Sequence, residues 1–146
     1  MNKNVSCTKW FGLSVQCLLV LAEYDGICPS TVLAERLHTK SSFLRKILTH
    51  LVKAELVAAK EGRNGGYSLG KRPEDITLSH VYESIKADPY AKGFLDVEGT
   101  ECFDSLTHRA LLNLRDEMEQ WLLNGLSKKT LADLLAAESL EENNRI

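Results

Sequence analysis

Proline, long apolar runs and paired-cysteine motifs are scarce in this chain, and each shortage removes a class of protein. Three prolines in 146 residues, with no Ser/Gly-rich stretch, leave no interdomain linker of the usual kind. No internal repeat or low-complexity tract is found. The longest apolar stretch near the N-terminus, Cys17 to Ala22, is too short to cross a bilayer. No small-residue cleavage site follows it, so no signal peptide is expected. Neither HExxH nor GxxxxGK occurs, and His38, His50, His80 and His108 stand singly. No nucleophile–base pair, metal set or phosphate loop is therefore available, and no catalytic residue or metal ligand is assigned. The four cysteines (Cys7, Cys17, Cys28 and Cys102) have no CxxC spacing, and a reducing compartment would keep them as thiols. A cytoplasmic location with no membrane partner is the expectation.

What is present is one core's worth of apolar residues, 44% of the chain, and an uneven charge distribution. The net charge is -2. Residues 1–35 balance at -1, residues 36–72 at +7 and residues 73–146 at -8. A cationic centre beside an acidic C-terminal half suggests a polyanion-binding face backed by a different surface. The alternative is a solvated charge run, so the argument rests on where these charges fall.

Trp10, Leu13, Cys17, Leu18 and Leu21 recur at helical spacing and predict a first helix from Thr8 to about Tyr24, ended by Gly26. Pro29-Ser30 starts a short second helix, with Ser30 as its cap. After a turn at His38-Thr39-Lys40, Ser41 or Ser42 opens a third helix running to about Ala54. Its buried stripe is Phe43, Leu44, Ile47, Leu48 and Leu51. Two such helices joined by a short turn form a helix-turn-helix. The polar face of the third carries Ser42, Arg45, Lys46, Thr49, His50 and Lys53, a set suited to the DNA major groove.

Two short strands follow, Leu56–Lys60 and Tyr67–Leu69. Between them lies Gly62-Arg63-Asn64-Gly65-Gly66, where Asn-Gly signals a hairpin. A helix-turn-helix followed by a hairpin is a winged helix, so the basic residues at the tip acquire a purpose. Arg63 suits the negative potential of a minor groove, and Lys60 suits a phosphate. The candidate DNA-contacting residues are Ser30, Thr31, Ser41, Ser42, Arg45, Lys46 and Thr49 on the helices, with Lys60, Arg63 and Asn64 on the wing. Further on, Asp104 or Ser105 can cap a long helix to about Leu123. Leu111, Leu114, Met118 and Trp121 fall at a/d-type spacing on it, which points to a partner helix and a homodimer. The competing account packs that stripe on the first helix and on Val81 and Ile85. Leu131 to Leu135 forms a short closing helix.

The stretch from Leu33 to Ile85 resembles the Rrf-two family of bacterial regulators, the group containing IscR, NsrR and CymR. The matching motifs are Leu33–Arg36, Phe43–Val57, Gly62–Leu69, Pro73–Val81 and Thr130–Leu135. One departure is Glu55, where the family usually has Gly. The resemblance implies a mainly α fold, a winged helix-turn-helix with a long C-terminal dimerisation helix. It implies a homodimeric DNA binder, usually a repressor. The expected organisation is a DNA-binding domain over 1–87, a sensor or linker loop over 88–104, the dimerisation and closing helices over 105–137, and a tail over 138–146.

Cluster-binding members carry three closely spaced cysteines before the dimer helix, because iron–sulfur clusters need thiolate ligands. This chain has only Cys102 there, with Ser105 where a ligand would stand, so no cofactor is expected. Cys102 precedes a helix N-terminus, whose dipole favours a thiolate, while Glu101 and Asp104 oppose it. It is the redox-sensing candidate, against the reading of an ordinary loop thiol. The function expected is sequence-specific transcriptional regulation through double-stranded DNA, as a repressor with possible thiol control. The alternatives are an iron–sulfur, metabolite or partner sensor, and a winged helix for protein binding, which would not need the cationic excess.

Overall fold

A computed structural model describes residues 6–85, Leu95 and 103–144, with the side chains of residues 6–8 and 138–143 outside the description. The elements run α1 (Ser6–Glu23), α2 (Ser30–Arg36), α3 (Ser41–Lys53), β1 (Val57–Lys60), β2 (Gly66–Leu69), a 3-10 turn (Pro73–Asp75), α4 (Leu78–Ser84), α5 (Ser105–Ser127) and α6 (Leu131–Asn144). The fold is mainly α, a winged helix-turn-helix with a long C-terminal helix.

The core forms where the apolar stripes of the first three helices meet. Cys17, Leu18 and Leu21 of α1, Leu33 and Ala34 of α2, and Leu44, Ile47, Leu48 and Leu51 of α3 are all buried in one cluster. Phe43, expected in the stripe, is half-buried, and its ring meets Trp10 of α1 edge-on at 5.9 Å. β1 and β2 pair antiparallel, with Val57 opposite Leu69 and Lys60 opposite Gly66. Cys28 adds a third, one-residue rung, its N–H donating to Tyr67 O and its carbonyl accepting from Tyr67 N–H.

The start of α2 differs from expectation. Ser30 is the first residue of α2 rather than its cap; Pro29 occupies the cap position and supplies no side-chain hydrogen bond. Lys40 likewise precedes α3 without a side-chain cap. α5 starts as expected, with the Asp104 carboxylate accepting from Thr107 N–H, and this bond holds the carboxyl below its ordinary pKa. It runs one turn further than the pattern suggested, to Ser127. α6 is longer than the short closing helix expected over 131–135 and continues to Asn144, through positions assigned to a tail.

α6 also begins inside the core. Thr77 and Thr130 bridge, Leu78 N–H donates to Lys129 O, and Leu131 N–H donates to Ile76 O. Leu131 is fully buried in the main cluster. The chain beyond α5 therefore returns to the winged-helix unit. α5 rests on α4, where Tyr82 donates to the Glu119 carboxylate and stacks edge-on against Phe11 of α1.

The ends of α2 and α3 share one construction. Thr39 N–H reaches back to Ala34 O, and His38 N–H to Glu35 O. Leu56 N–H reaches back to Leu51 O, and Glu55 N–H to Val52 O. Each pair is a Schellman closure, which needs a left-handed residue just past the helix. His38 has φ 50° and Glu55 has φ 62°. Glycine is favoured in that conformation because it has no Cβ to clash. Glu55→Gly is expected to stabilise the fold by about 1 kcal/mol, and thermal unfolding should show a rise in Tm of about 3 °C.

Candidate nucleic-acid interface

The burial of four α3 side chains dictates what the rest of that helix presents. Ser41, Ser42, Arg45, Lys46, Thr49 and Lys53 are exposed along one face. Arg45, Lys46, Lys53, Lys60 and Arg63 form no ion pair with another described residue, in contrast to Arg72, which pairs with Glu74 at 3.4 Å and Asp75 at 3.0 Å. Those two carboxylates raise the Arg72 pKa further above its ordinary value. Arg36, the first cation of the basic segment, lies 5.4 Å over the Tyr24 ring. The Thr49 hydroxyl donates to Arg45 O at 2.8 Å, which leaves its oxygen lone pairs for an external donor.

One residue expected on the polar face behaves otherwise. His50 is half-buried, with its ring 5.7 Å from that of Trp10, so it belongs to the α1–α3 contact. The sequence pattern missed this because Trp10 reaches round the edge of the apolar stripe, a distance that helical spacing does not reveal.

The wing tip spans residues 61–65 between the last strand pair. Lys60, Arg63 and Asn64 are exposed. Gly65 and Gly66 are required by close approach. A Cβ on Gly65 would lie 2.3 Å from Lys60 O, and one on Gly66 would lie 2.3 Å from Cys28 O. Both obstacles are backbone atoms, which cannot swing aside. Gly66 thus lets the hairpin lie against Cys28, the third rung that fixes its root. Ser30 and Thr31 are exposed on the first turn of α2. All ten residues predicted for the DNA surface are accordingly accessible.

The cysteines divide into two groups. Cys17 and Cys28 are free thiols with no exposed surface. Burial pushes the Cys17 thiol up to about 12, with Cys28 adding to the effect. Burial also raises Cys28, against a smaller opposite pull from Arg36. Neither is a ready thiolate at neutral pH. Cys102 and the side chain of Cys7 lie outside the described residues. Among the described residues, no group of three or more His, Cys, Asp or Glu could hold a metal ion. No described helix is long and apolar enough to cross a membrane.

With this geometry in place, comparison with known proteins is decisive. The family model Rrf2, described as an iron-dependent transcriptional regulator, matches residues 7–137. The chain belongs to the Rrf2 family. YffB of Lactococcus lactis is 33% identical over 127 residues, covering 83% of this chain and 81% of the relative. The HTH-type transcriptional regulator IscR of Photobacterium profundum is 30% identical over 128 residues, covering 85% and 70%. Among solved structures, T. potens IscR superposes with a TM-score of 0.61 at 26% identity, covering 88% of this chain and 85% of the other. Bacillus subtilis CymR, at 20% identity and a TM-score of 0.59, shares the fold. This Rrf2 protein is a DNA-binding transcriptional regulator.

Proposed function

We propose that this Rrf2 protein represses transcription as a homodimer on a two-fold operator. One observation carries the reading: the exposed α3 face and the wing hold five cations that form no ion pair with another described residue. α3 enters the major groove, where Arg45 and Lys46 meet base edges and Ser41, Ser42 and Thr49 supply hydroxyl contacts. Ser30 and Thr31 at the start of α2 and Lys60 on the wing hold phosphates, while Arg63 and Asn64 address the minor groove. Removing a base-reading Arg costs roughly 1–3 kcal/mol, whereas losing a phosphate-bound Lys mainly lowers the salt slope by about one. Arg45→Ala with Arg63→Ala should therefore weaken operator binding by 10-fold or more, on the order of the loss of one bidentate base contact. Unchanged affinity in a fluorescence-anisotropy titration would remove α3 and the wing as the reading surface.

The dimer reading rests on α5. None of its 23 residues is buried, although it carries Leu111, Leu114, Met118 and Trp121 on one stripe. Leu114 is 40% exposed and Trp121 60%, and Leu111 and Met118 are half-buried. One side of the helix is covered by α4, so the intramolecular account explains only part of the stripe. A second copy of α5 would cover the remainder. Two linked half-sites bind far more tightly than one, because the second contact is intramolecular. Leu114→Glu is expected to give a monomer in sedimentation analysis and to lose tight binding to a two-fold site. A wild-type monomer at micromolar concentration would sink this.

Cys102 is proposed as the redox-responsive thiol, in the segment 88–104 leading to α5. Its oxidation to a disulfide or sulfenic acid would act where subunit orientation is set. The full burial of Cys28 favours Cys7 of either subunit, or a small thiol, over Cys28 as a disulfide partner. Cys102→Ser should bind DNA normally when reduced and lose most of the response to peroxide or diamide in a mobility-shift assay. A response equal to that of the wild type would make the thiol structural.

A further inference from the structure

A second feature lies beside the recognition helix and takes no part in the reading above. An open groove of about 600 Å³ runs between α1 and the turn that joins α2 to α3. Its apolar lining is Gly12 and Leu13 from α1, Leu37 from the turn and Phe43 from the first turn of α3, with Gln16 and Thr39 as neutral polar neighbours. Lys9 from α1 and Lys40 from the facing turn are exposed at it, together with His38. No described carboxylate lines the groove.

Gly12 is the second observation. It sits inside α1, where glycine is the poorest helix former apart from proline. Crowding does not require it, for a Cβ there would meet no atom within 4 Å. The recess it leaves deepens the groove without serving the packing of the described chain. The size falls within the range of small-molecule sites, and the mixture of apolar floor and cationic rim defines the occupant.

We infer that this groove binds a small organic anion with an apolar body, a monocarboxylate of medium length. The carboxylate meets Lys9 and Lys40 in charge-assisted contacts, and the hydrocarbon lies over Gly12, Leu13 and Phe43. A DNA phosphate would satisfy the lysines and leave the apolar floor uncovered. The site includes Phe43, whose ring meets Trp10 in the contact that seats the start of α3 on α1. Occupancy therefore alters how the recognition helix is held. That consequence rests on the proposed DNA reading, whereas binding itself does not.

The test uses the full-length wild-type protein. Octanoate, octanamide and inorganic phosphate are titrated in turn while intrinsic tryptophan fluorescence is followed. Octanoate should produce a saturable change, with octanamide about tenfold weaker or more because its contact with the lysines is uncharged. Phosphate should produce none. Gly12→Leu fills the recess and should abolish the octanoate response, and Lys9→Gln should weaken it while leaving the apolar floor intact. DNA affinity measured with and without octanoate should differ several-fold in the parent and not in Gly12→Leu. An octanoate response retained in Gly12→Leu overturns the site, as does an equal response to phosphate. Octanoate binding without any effect on DNA affinity overturns the regulatory consequence alone. Loss of DNA binding in the absence of octanoate counts against the DNA reading and leaves the fluorescence result standing.

Discussion

The packing of α3 on α1 and α2 is the constraint on which the rest of the structure depends. Leu44, Ile47, Leu48 and Leu51 are buried together with Leu18 and Leu33. Each such side chain contributes roughly 1.5–3 kcal/mol by leaving water. The helix cannot rotate about its axis without exposing this stripe, so its polar face is fixed outward. The same burial sets the direction of the chain that leaves α3. The Schellman closure at Glu55 turns it straight into β1, and the hairpin root is then held by Cys28 on one side and by α3 on the other. Positioning of the cationic surface is thus a by-product of core formation.

A second consequence concerns how α5 relates to this unit. It is joined to the winged helix through α4, by the Tyr82–Glu119 hydrogen bond and the Phe11–Tyr82 ring contact. Phe11 adjoins Trp10, which in turn meets Phe43 and His50 of α3. Helix α1 therefore links the helix proposed to carry the dimer, by way of Tyr82, with the helix proposed to read DNA, through the consecutive residues Phe11 and Trp10. The return of α6, with Leu131 in the core, ties the far end of α5 to the same body. A change in how two subunits meet along α5 would be transmitted by rigid contacts rather than by a loose linker. The groove beside Gly12 opens on the same seam.

The family assignment brings a name that mentions iron, and the residues of this chain do not repeat the expected cluster ligands. Ser105 is the first residue of α5, and its hydroxyl is a poor substitute for a thiolate. Cys17 and Cys28 are held as buried thiols whose pKa values are raised by desolvation. A regulator of this fold can retain its DNA-binding unit while its sensing chemistry differs, because the two are built from separate segments.

Much of this protein was determined by the sequence itself. Apolar spacing placed α1, α2 and α3, the Asn-Gly tip located the wing, and the charge division isolated the cationic segment. These are local signals, set by residues a few positions apart. The departure noted at Glu55, where the family usually has Gly, proved to be a left-handed residue at φ 62°. Tertiary structure alone decided the features that join distant residues. It drew His50 from the polar face into contact with Trp10, made Cys28 the third rung of the wing, and placed Leu131 in the core. It also extended α6 through positions whose acidic, weakly patterned sequence reads as a tail. The physical reason is common to the first three. Each depends on contacts across dozens of residues, and such contacts are chosen by how the elements pack, to which local periodicity is blind.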